Sequence, residues 1–304
     1  MIVKNPQDFL AELEQREFQS DGPHYARSVL MIEPVNFSVC EESAIDNHYM
    51  NLNERVDSQL ALRQFRGLAE LISCKGIEVI DFPGDQATPD AIFPNNVFAT
   101  TENKFIIGHM LHPGRQKEAD RQDIRGWFQS RGYREIDLSE RDCIAELTGV
   151  MIIDSARHIG FCGLSGRVDQ AGLEAMHDAF GLNMIFSFDL QPEEYHTNVI
   201  MMVLAGRACV IYPGAFVDPA VPVAIAKAFP DRTLILTESE KNAFAGNCIA
   251  LTATDLFMSQ TGVDALRTSS RTTLKSWGFT IHSTRLDEIE KAGGSLRCML
   301  AEIF

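Results

Sequence analysis

The stretch "HTNVIMMVLAGRACVIYP" (196–213) contains two apolar runs that are joined by a short polar turn. Both runs are rich in Val, Ile and Met, a composition and length typical of buried β-strands. The segment "PVAIAKAF" (222–229) follows with helical spacing, and "TLILTES" (233–239) has strand character again. The stretch therefore predicts one unit of strand, strand, helix and strand.

The same unit returns on both sides of this stretch. Further units open at "SVLMIEP" (28–34), "AIFPNNVFATTENKFIIGHM" (91–110), "AELTGVMIIDSARHIGFCGLS" (145–165) and "FAGNCIALTATDLFMS" (244–259). Their helices are expected around 56–75, 116–131, 170–181 and 262–276, and the chain ends on the strand-like "CMLAEIF" (298–304). Five units at intervals of about 50 to 60 residues indicate a repeat architecture.

Repeated units of this kind can pack radially, as blades do around an axis. We therefore predict an α/β fold, a five-bladed pseudo-symmetric α/β propeller in which the blade-opening strands converge on the centre. The alternative is a doubly wound sheet with irregular insertions. The propeller would form a single domain over residues 28–304, whereas residues 1–27 carry the helical pattern "PQDFLAELEQRE" (6–17) and are expected to form an N-terminal helical extension.

Composition excludes several classes of function. The formal net charge of −15 would repel a phosphate backbone, so nucleic-acid binding is not expected. The sequence has no apolar run of 18 residues and no secretory signal at its N-terminus, so we expect no membrane association. The seven cysteines form no CxxC pair and several lie in apolar segments, which favours reduced thiols and a cytoplasmic location. A homodimer stays open.

Two short motifs suggest other chemistry only weakly. "HMLH" places His109 and His112 three residues apart, but no third ligand lies nearby, so no metal is expected. "GLSGR" (163–167) resembles the G-x-S-x-G elbow of hydrolases only loosely, because Arg167 replaces its last glycine. No glycine-rich phosphate loop follows a strand, so no organic cofactor is implied either.

Polar residues stand where the blade-opening strands should be apolar. They are Asp90, Asn95, Asn96, Glu146, His196, Asn198, Asn247 and Cys298. His196 and Asn198 are two residues apart and are expected on one face of a strand. Each buried polar group costs about 1–3 kcal/mol unless it is hydrogen-bonded. Their recurrence at one end of successive units predicts a shared polar cluster.

Taken singly, each of these residues also has an ordinary structural interpretation. Cys298 could be a small core residue on a closing strand, and His196 a hydrogen-bonded core histidine. Glu146 could face solvent at the start of its strand. Asn247, which follows a glycine, is interpreted as a turn residue. We favour the hypothesis of a shared polar cluster, because the ordinary interpretations would all have to hold at once in five matched positions.

Four motifs resemble the guanidine-modifying, or pentein, superfamily. They are "PDAIFPNN" (89–96), "YHTNVIMM" (195–202), "FAGN" (244–247) and "SLRCMLAEIF" (295–304). The resemblance covers residues 28–304 and is nearest to the citrulline-utilisation hydrolase (CtlX-type) branch. It implies a five-bladed α/β propeller with a Cys-His-Glu site in its central channel. The "LEGTG" of the family reads "AELTG" (145–149) here, with Leu147 in place of a glycine.

The resemblance also implies roles for three catalytic residues. Cys298 would attack the central carbon of a guanidino or ureido group and form a covalent intermediate. His196 would protonate the departing amine and then activate the water that resolves this intermediate. Glu146 would hydrogen-bond His196 or the substrate nitrogens.

Substrate-binding roles follow in the same way. Asp90 matches a substrate-binding aspartate of the dimethylarginine hydrolases. Arg115, in "HPGRQKE" (112–118), matches an arginine on a capping loop and could grip a carboxylate with two hydrogen bonds, and Arg167 is a second candidate for that role. For both arginines a solvated surface position stays open.

Asn96 and Asn198 occupy positions at which arginine deiminases carry carboxylates. A guanidinium offers only donors and suits paired carboxylates, whereas an amide offers a donor and an acceptor and suits a neutral ureido group. We therefore favour citrulline, hydrolysed to ornithine, ammonia and carbon dioxide. Because Asp90 and Glu146 remain, an arginine-type deiminase or dihydrolase stays open. So do an amidinotransferase and a non-catalytic binding protein on this fold.

Overall fold

The computed structural model describes residues 1–16, 18, 20–50 and 52–304. It contains five sheets of one construction, in which the second strand is antiparallel to the first and parallel to the third. In chain order the strands are β1 (Ile2–Val3), β2 (Ser28–Ile32), β3 (Glu78–Phe82), β4 (Phe98–Thr101), β5 (Lys104–Ile107), β6 (Arg134–Asp137), β7 (Met151–Asp154), β8 (Ile159–Leu164), β9 (Met184–Asp189), β10 (Met201–Leu204), β11 (Ala208–Ile211), β12 (Thr233–Ile235), β13 (Ile249–Ala250), β14 (Asp255–Ser259), β15 (Thr280–Thr284) and β16 (Ala301–Ile303). The sheets are β16-β2-β3, β4-β5-β6, β7-β8-β9, β10-β11-β12 and β13-β14-β15, and β1 adds to the third at β9.

Helices connect the second and third strands of each sheet, and short helices or 3-10 turns lead from each sheet to the next. They are α1 (Pro6–Gln15), α2 (Ser58–Ser73), α3 (Pro113–Gln116), α4 (Gln122–Ser130), α5 (Leu147–Val150), α6 (Gln170–Phe180), α7 (Thr197–Ile200), α8 (Ala220–Lys227), α9 (Glu238–Asn242), α10 (Gln260–Ala265), α11 (Thr268–Ser276) and α12 (Asp287–Glu290). This order confirms the predicted unit of strand, strand, helix and strand within a mixed α/β fold. No helix in the described ranges is long and apolar enough to cross a membrane.

Two predicted helices are each divided in the structure. The helix expected at 116–131 is split into α3, a 3-10 turn and α4, and the one at 262–276 into α10 and α11. The second break has a visible cause. The backbone of Arg267 is extended, and its N–H donates to the buried carboxylate of Glu240 over 3.0 Å instead of continuing the helix.

The last strand of the chain completes the first sheet. Strand β16 pairs antiparallel with β2, with Ala301 opposite Leu30 and Ile303 opposite Ser28. Residues far apart in sequence are thereby joined in one sheet, and the segment just before β16 is held at the edge of that sheet. That segment carries Cys298, so the pairing of β16 with β2 determines where this thiol lies.

Backbone conformation explains the tight hairpin of the fourth sheet. Strands β10 and β11 are joined through Ala205 and Gly206, whose φ angles are 48° and 62°. Two successive positive φ angles are typical of a type I′ turn, whose twist matches that of the paired strands. Every residue of these two strands is buried, as expected for a sheet that is covered on both faces.

The N-terminal helix packs against the third sheet. Asn5 caps α1, and Phe9 on its buried face is fully enclosed. The ring of Phe9 stacks on Phe186 with centroids 4.4 Å apart and meets Phe161 edge-on at 6.0 Å. The helix expected in the extension is therefore present and lies in the same core as the sheets. A domain division at residue 28 stays a prediction.

We predict that Phe9→Ala lowers the free energy of unfolding by about 3–5 kcal/mol, because it removes a fully buried ring and leaves a cavity between α1 and the third sheet. Urea denaturation followed by circular dichroism measures this change. The control is Glu14→Ala, an exposed position of the same helix, which should change stability by less than about 0.5 kcal/mol. Equal, small effects of the two variants would mean that α1 does not contribute to the stability of the sheets.

Candidate active site

The polar cluster lies in short turns that precede the first strand of each sheet. Asp90 and Asn96 precede β4, Glu146 precedes β7, His196 and Asn198 precede β10, Asn247 precedes β13, and Cys298 precedes β16. None of these side chains is more than 3% exposed. The five matched positions predicted from the sequence therefore exist, but in turns rather than on the strands themselves.

His196 and Asn198 do not share a strand face, so that expectation was wrong. His196 caps α7, and Asn198 lies within this single helical turn. The hydroxyl of Thr197 fixes the turn, since it donates to the carbonyl of Val150 and accepts from the N–H of Gly163. Residues two apart on a helix point in different directions, and the two side chains here contact different partners.

The carboxylate of Glu146 holds the imidazole of His196. Glu146 Oε2 lies 2.8 Å from His196 Nε2, and Arg167 Nη1 donates to both carboxylate oxygens over 3.2 Å. The N–H of Leu111 donates to Oε1 over 3.1 Å. Burial raises the pKa of Glu146, but Arg167 and His196 outweigh it and hold that pKa well below its usual range. The carboxylate is therefore charged at neutral pH.

His196 is neutral at rest. Burial lowers its pKa below the ordinary value of 6.5 by more than the neighbouring Glu146 raises it. With a charged carboxylate at Nε2, the single ring proton lies on Nε2 and the lone pair on Nδ1. Nδ1 is buried and has no hydrogen-bond partner in the described part of the chain. It is therefore the ring atom left to exchange a proton with a ligand.

Cys298 lies in the 3-10 turn Leu296–Met299, where two amides reach its sulfur. Asn247 Nδ2 is 3.2 Å from Sγ, and Asn198 Nδ2 is 3.4 Å from it. Burial raises the thiol pKa above its ordinary value of 9.0, although the hydrogen bond from Asn247 opposes this rise. The sequence analysis assigned Asn247 only a turn role. Its position, which is equivalent to those of the other cluster residues, was the signal for a role in the site.

Cys298 and His196 line the same pocket. The loop between β2 and α2 contributes Ser43, Asn47 and Met50 to the lining of the pocket and is called the covering loop. The hydroxyl of Ser43 donates to Asp90 Oδ2 over 2.8 Å. Four buried acceptors of the cluster have no partner among the described residues, namely Oδ1 of Asp90, Asn95, Asn96 and Asn198, and two of these residues, Asp90 and Asn96, line the pocket. Because buried polar atoms are almost always paired, these oxygens indicate a ligand rich in hydrogen-bond donors.

Arg115 and Arg167 also line this pocket and are only 5% and 2% exposed, so the solvated surface alternative is wrong. Internal carboxylates bind both guanidinium groups. Arg115 meets Glu118 through two hydrogen bonds of 2.8 and 2.9 Å, and Arg167 meets Asp46 through two of 2.7 Å. The sequence analysis missed both of these carboxylates. A role of the arginines in substrate binding stays a prediction.

The turn at Glu146 is formed without the glycine of the related motif. Leu147 adopts a φ of 25° in the region that favours glycine, and its side chain is fully buried in the hydrophobic core. Gly149, by contrast, cannot be replaced freely. A Cβ atom there would lie 2.5 Å from Asn96 Oδ1 and 2.9 Å from His196 Cε1. This close approach lets His196 and Asn96 come together.

The weaker motifs do not assemble a site of their own. Across the described ranges no three His, Cys, Asp or Glu side chains are arranged to hold a metal ion. His109 Nδ1 lies 2.8 Å from the carbonyl of Arg141, and the hydroxyl of Ser165 donates to the carbonyl of Tyr195 over 2.7 Å. All seven cysteines are free thiols.

Several known proteins are similar to this chain in sequence and in fold. Residues 33–304 match the family N,N dimethylarginine dimethylhydrolase, eukaryotic. The N(G),N(G)-dimethylarginine dimethylaminohydrolase of Mycobacterium tuberculosis is 24% identical over 277 residues, which cover 91% of this chain and 86% of that protein. The bifunctional arginine dihydrolase/ornithine cyclodeaminase AgrE of Nostoc sp. is 22% identical over 280 residues. The match covers 90% of this chain but only 38% of AgrE.

Two solved structures show the same fold. The N-terminal domain of ArgZ, an arginine dihydrolase of cyanobacteria, bound to its substrate, has a TM-score of 0.80 at 21% identity, covering 91% of this chain and 97% of that one. A dimethylarginine dimethylaminohydrolase in an adduct with S-methyl-L-thiocitrulline has a TM-score of 0.72 at 16% identity, covering 91% and 100%. From the match over residues 33–304, the chain belongs to the N,N dimethylarginine dimethylhydrolase family of the pentein superfamily and is an amidinohydrolase.

Proposed function

We propose that the chain hydrolyses a C–N bond of a ureido or guanidino amino acid through a covalent intermediate on Cys298, with citrulline as the first candidate substrate. One observation carries the proposal. A buried pocket brings the Cys298 thiol and the His196–Glu146 pair beside acceptor oxygens that lack partners. The CtlX-type branch, the cytoplasmic location and a homodimer stay predictions.

The proposed reaction proceeds in two steps. The Cys298 thiol passes its proton to His196 Nδ1, and the sulfur attacks the ureido carbon. The C–N bond breaks, and the departing amine takes the proton from His196. Water then gives a proton to the imidazole and adds to the same carbon, the S–C bond breaks, and the thiol forms again. Starting from citrulline, one water in total gives ornithine, ammonia and carbon dioxide, since the carbamate released breaks down spontaneously.

The amides favour a ureido substrate. Asn96 Oδ1 and Asn198 Oδ1 can accept from the N–H groups of the substrate, and neither side chain carries a charge that would have to be matched by a cation. Citrulline offers such donors on an uncharged group. In this proposal Glu146 orients His196, and Asp90 binds a further substrate N–H.

Arginine is the second candidate, and Asp90 supports it. This carboxylate is only 3% exposed, and its Oδ1 has no partner in the described ranges. A buried anion with a free oxygen favours a cationic partner such as a guanidinium. AgrE and ArgZ are named as arginine dihydrolases. Dimethylarginine, named for the M. tuberculosis relative, is a further substrate to test.

We also propose that the five sheets close into a five-bladed propeller around this site. Contacts between neighbouring sheets support the ring, since β4 contacts β16 and α5, β10 contacts β7 and β13, and β14 contacts the turn before β16. A second pocket is lined by residues of β4, β7, β10, β13 and β16. These are the first strands of all five sheets. In a closed ring they surround the axis, and the turns that precede them form one end of it.

We predict that citrulline releases ammonia and ornithine and that Cys298→Ser abolishes both. A panel of citrulline, arginine, agmatine, succinylarginine and dimethylarginine is assayed for ammonia, with amine products identified by mass. The control is Cys74→Ser, which removes an exposed thiol that does not line the pocket and should leave the rates unchanged. Turnover of guanidino compounds alone would contradict the ureido assignment, and no turnover of any compound would contradict the proposed function.

We predict that kcat/KM, measured with an active substrate of the panel, is independent of pH over a broad range. It should fall only below the lowered pKa of His196, under 6.5, and above the raised pKa of Cys298, over 9.0. Between these limits the enzyme holds one thiol proton and a neutral imidazole, the form that the mechanism needs.

The pH dependence of kcat/KM also tests whether Glu146 acts through His196. Glu146→Gln should lower kcat about 100-fold or more, as loss of an oriented acid-base group does. It should also move the acid limb to lower pH, because the lost negative charge raised the pKa of His196. Glu140→Gln makes the same change at an exposed position and should leave the profile unchanged. An unmoved acid limb in Glu146→Gln would mean that Glu146 does not act through the imidazole.

A further inference from the structure

The sulfur of Cys298 receives hydrogen bonds from two amides that come from different sheets. Asn247 precedes β13 and Asn198 lies in the turn before β10, and their amide nitrogens are 3.2 and 3.4 Å from Sγ. The two residues are also joined to each other, since Asn247 Nδ2 lies 2.9 Å from the carbonyl oxygen of Asn198. A single rigid arrangement thus presents two N–H groups to one sulfur.

The orientation of the Asn247 amide is determined by its surroundings. Its Oδ1 accepts from the backbone N–H groups of Arg297, at 2.9 Å, and of Cys298, at 3.4 Å. Both of these groups can only donate, so the opposite orientation would place N–H groups against N–H groups. The amide nitrogen must therefore face the sulfur. The same contacts hold the 3-10 turn that carries Cys298.

In the described part of the chain, these two amides are the side-chain hydrogen-bond donors that reach Sγ. Arg297 is adjacent in sequence, but its guanidinium points elsewhere and donates to the carbonyl of Leu300 and the carboxylate of Glu302. Nε2 of His196 is occupied by Glu146. No fixed positive charge of a side chain is thus hydrogen-bonded to the sulfur.

We propose that Asn247 and Asn198 form a donor pair that stabilises the negative charge of the Cys298 sulfur, and that both are catalytic residues of the hydrolysis. This inference rests on the proposed function only in taking Cys298 as the nucleophile. Neutral donors strengthen as charge develops on the sulfur, and they leave the resting thiol protonated until a substrate arrives. Burial of the thiol and the opposing effect of Asn247 on its pKa are consistent with this.

The pair gives Asn198 a second role beside the predicted contact with substrate. Its Nδ2 faces the sulfur, whereas its Oδ1 has no partner among the described residues and can still accept from a substrate N–H. An aspartate at this position would lose the donor and place a negative charge beside the sulfur. Asparagine at position 198 therefore serves the nucleophile as well as the substrate.

The test measures the thiol without any substrate. Parent, Asn247→Asp and Asn198→Asp are alkylated with iodoacetamide between pH 6 and 10, and modification of the Cys298 peptide is followed by mass spectrometry. Each variant is isosteric and exchanges an N–H donor for a charged oxygen. We expect the apparent pKa of Cys298 to rise by at least about one unit in each, so that alkylation at pH 7.5 is about tenfold slower or more.

Asn95→Asp is the matched control. Asn95 is as buried as Asn198, but its amide nitrogen donates to the hydroxyl of Thr148 instead of the sulfur. Its alkylation profile should equal that of the parent. The exposed thiol of Cys74 serves as an internal reference in every sample, and near-ultraviolet circular dichroism verifies that each variant folds.

The outcomes separate this inference from the proposed function. Unchanged profiles in folded Asn247→Asp and Asn198→Asp would overturn the donor pair, and so would an equal shift in Asn95→Asp. If either sulfur-facing variant fails to fold, the other decides. Raised thiol pKa values together with no turnover of any panel compound would support the donor pair at the sulfur, but they would reject the proposed function and with it the role of the pair in hydrolysis.

Discussion

The carboxylate of Glu146 is buried where segments of several sheets meet, and it can stay charged there only through its partners. It binds Arg167 and His196 and accepts from the N–H of Leu111, while Arg167 extends the network to Asp46 in the covering loop. Removing one partner of such a buried ion pair typically costs about 3–5 kcal/mol, because a charge is left unmatched. The covering loop, the imidazole and the segment that follows β5 are thus linked through one carboxylate.

Repeated units determine where that group can lie. Each unit places a short turn before its first strand, and five such turns bring Asp90, Glu146, His196, Asn247 and Cys298 to one end of the sheets. Turns can hold buried polar side chains without interrupting a strand ladder, because their own backbone groups are paired locally. The candidate site therefore lies in the turns, and the strands fix the spacing between them.

The contrast between regular strands and short polar turns explains which features could be predicted from the sequence. Apolar runs and helical spacing repeat five times, so the strand and helix order could be predicted, as could the turn residues His196 and Cys298. The conformation of those turns could not, since a one-turn helix such as α7 has too few residues for a periodic pattern. The carboxylates that bind Arg115 and Arg167 were missed for another reason. Asp46 lies 121 residues from Arg167, and no local pattern marks such a pair.

In the proposed mechanism, asparagine in place of carboxylate at position 198 links the nucleophile to the substrate. A carboxylate at position 198 would neutralise a guanidinium, but it would also lie beside the sulfur that has to become negative. The amide avoids that conflict, because it donates to the sulfur and keeps an acceptor for the substrate. The cost is that the site gives up charge matching to a cationic headgroup at position 198, although the carboxylate of Asp90 remains. The proposed site favours a headgroup with many donors and little charge, and its sulfur is hydrogen-bonded by the neutral amides of Asn247 and Asn198 rather than by a cationic side chain.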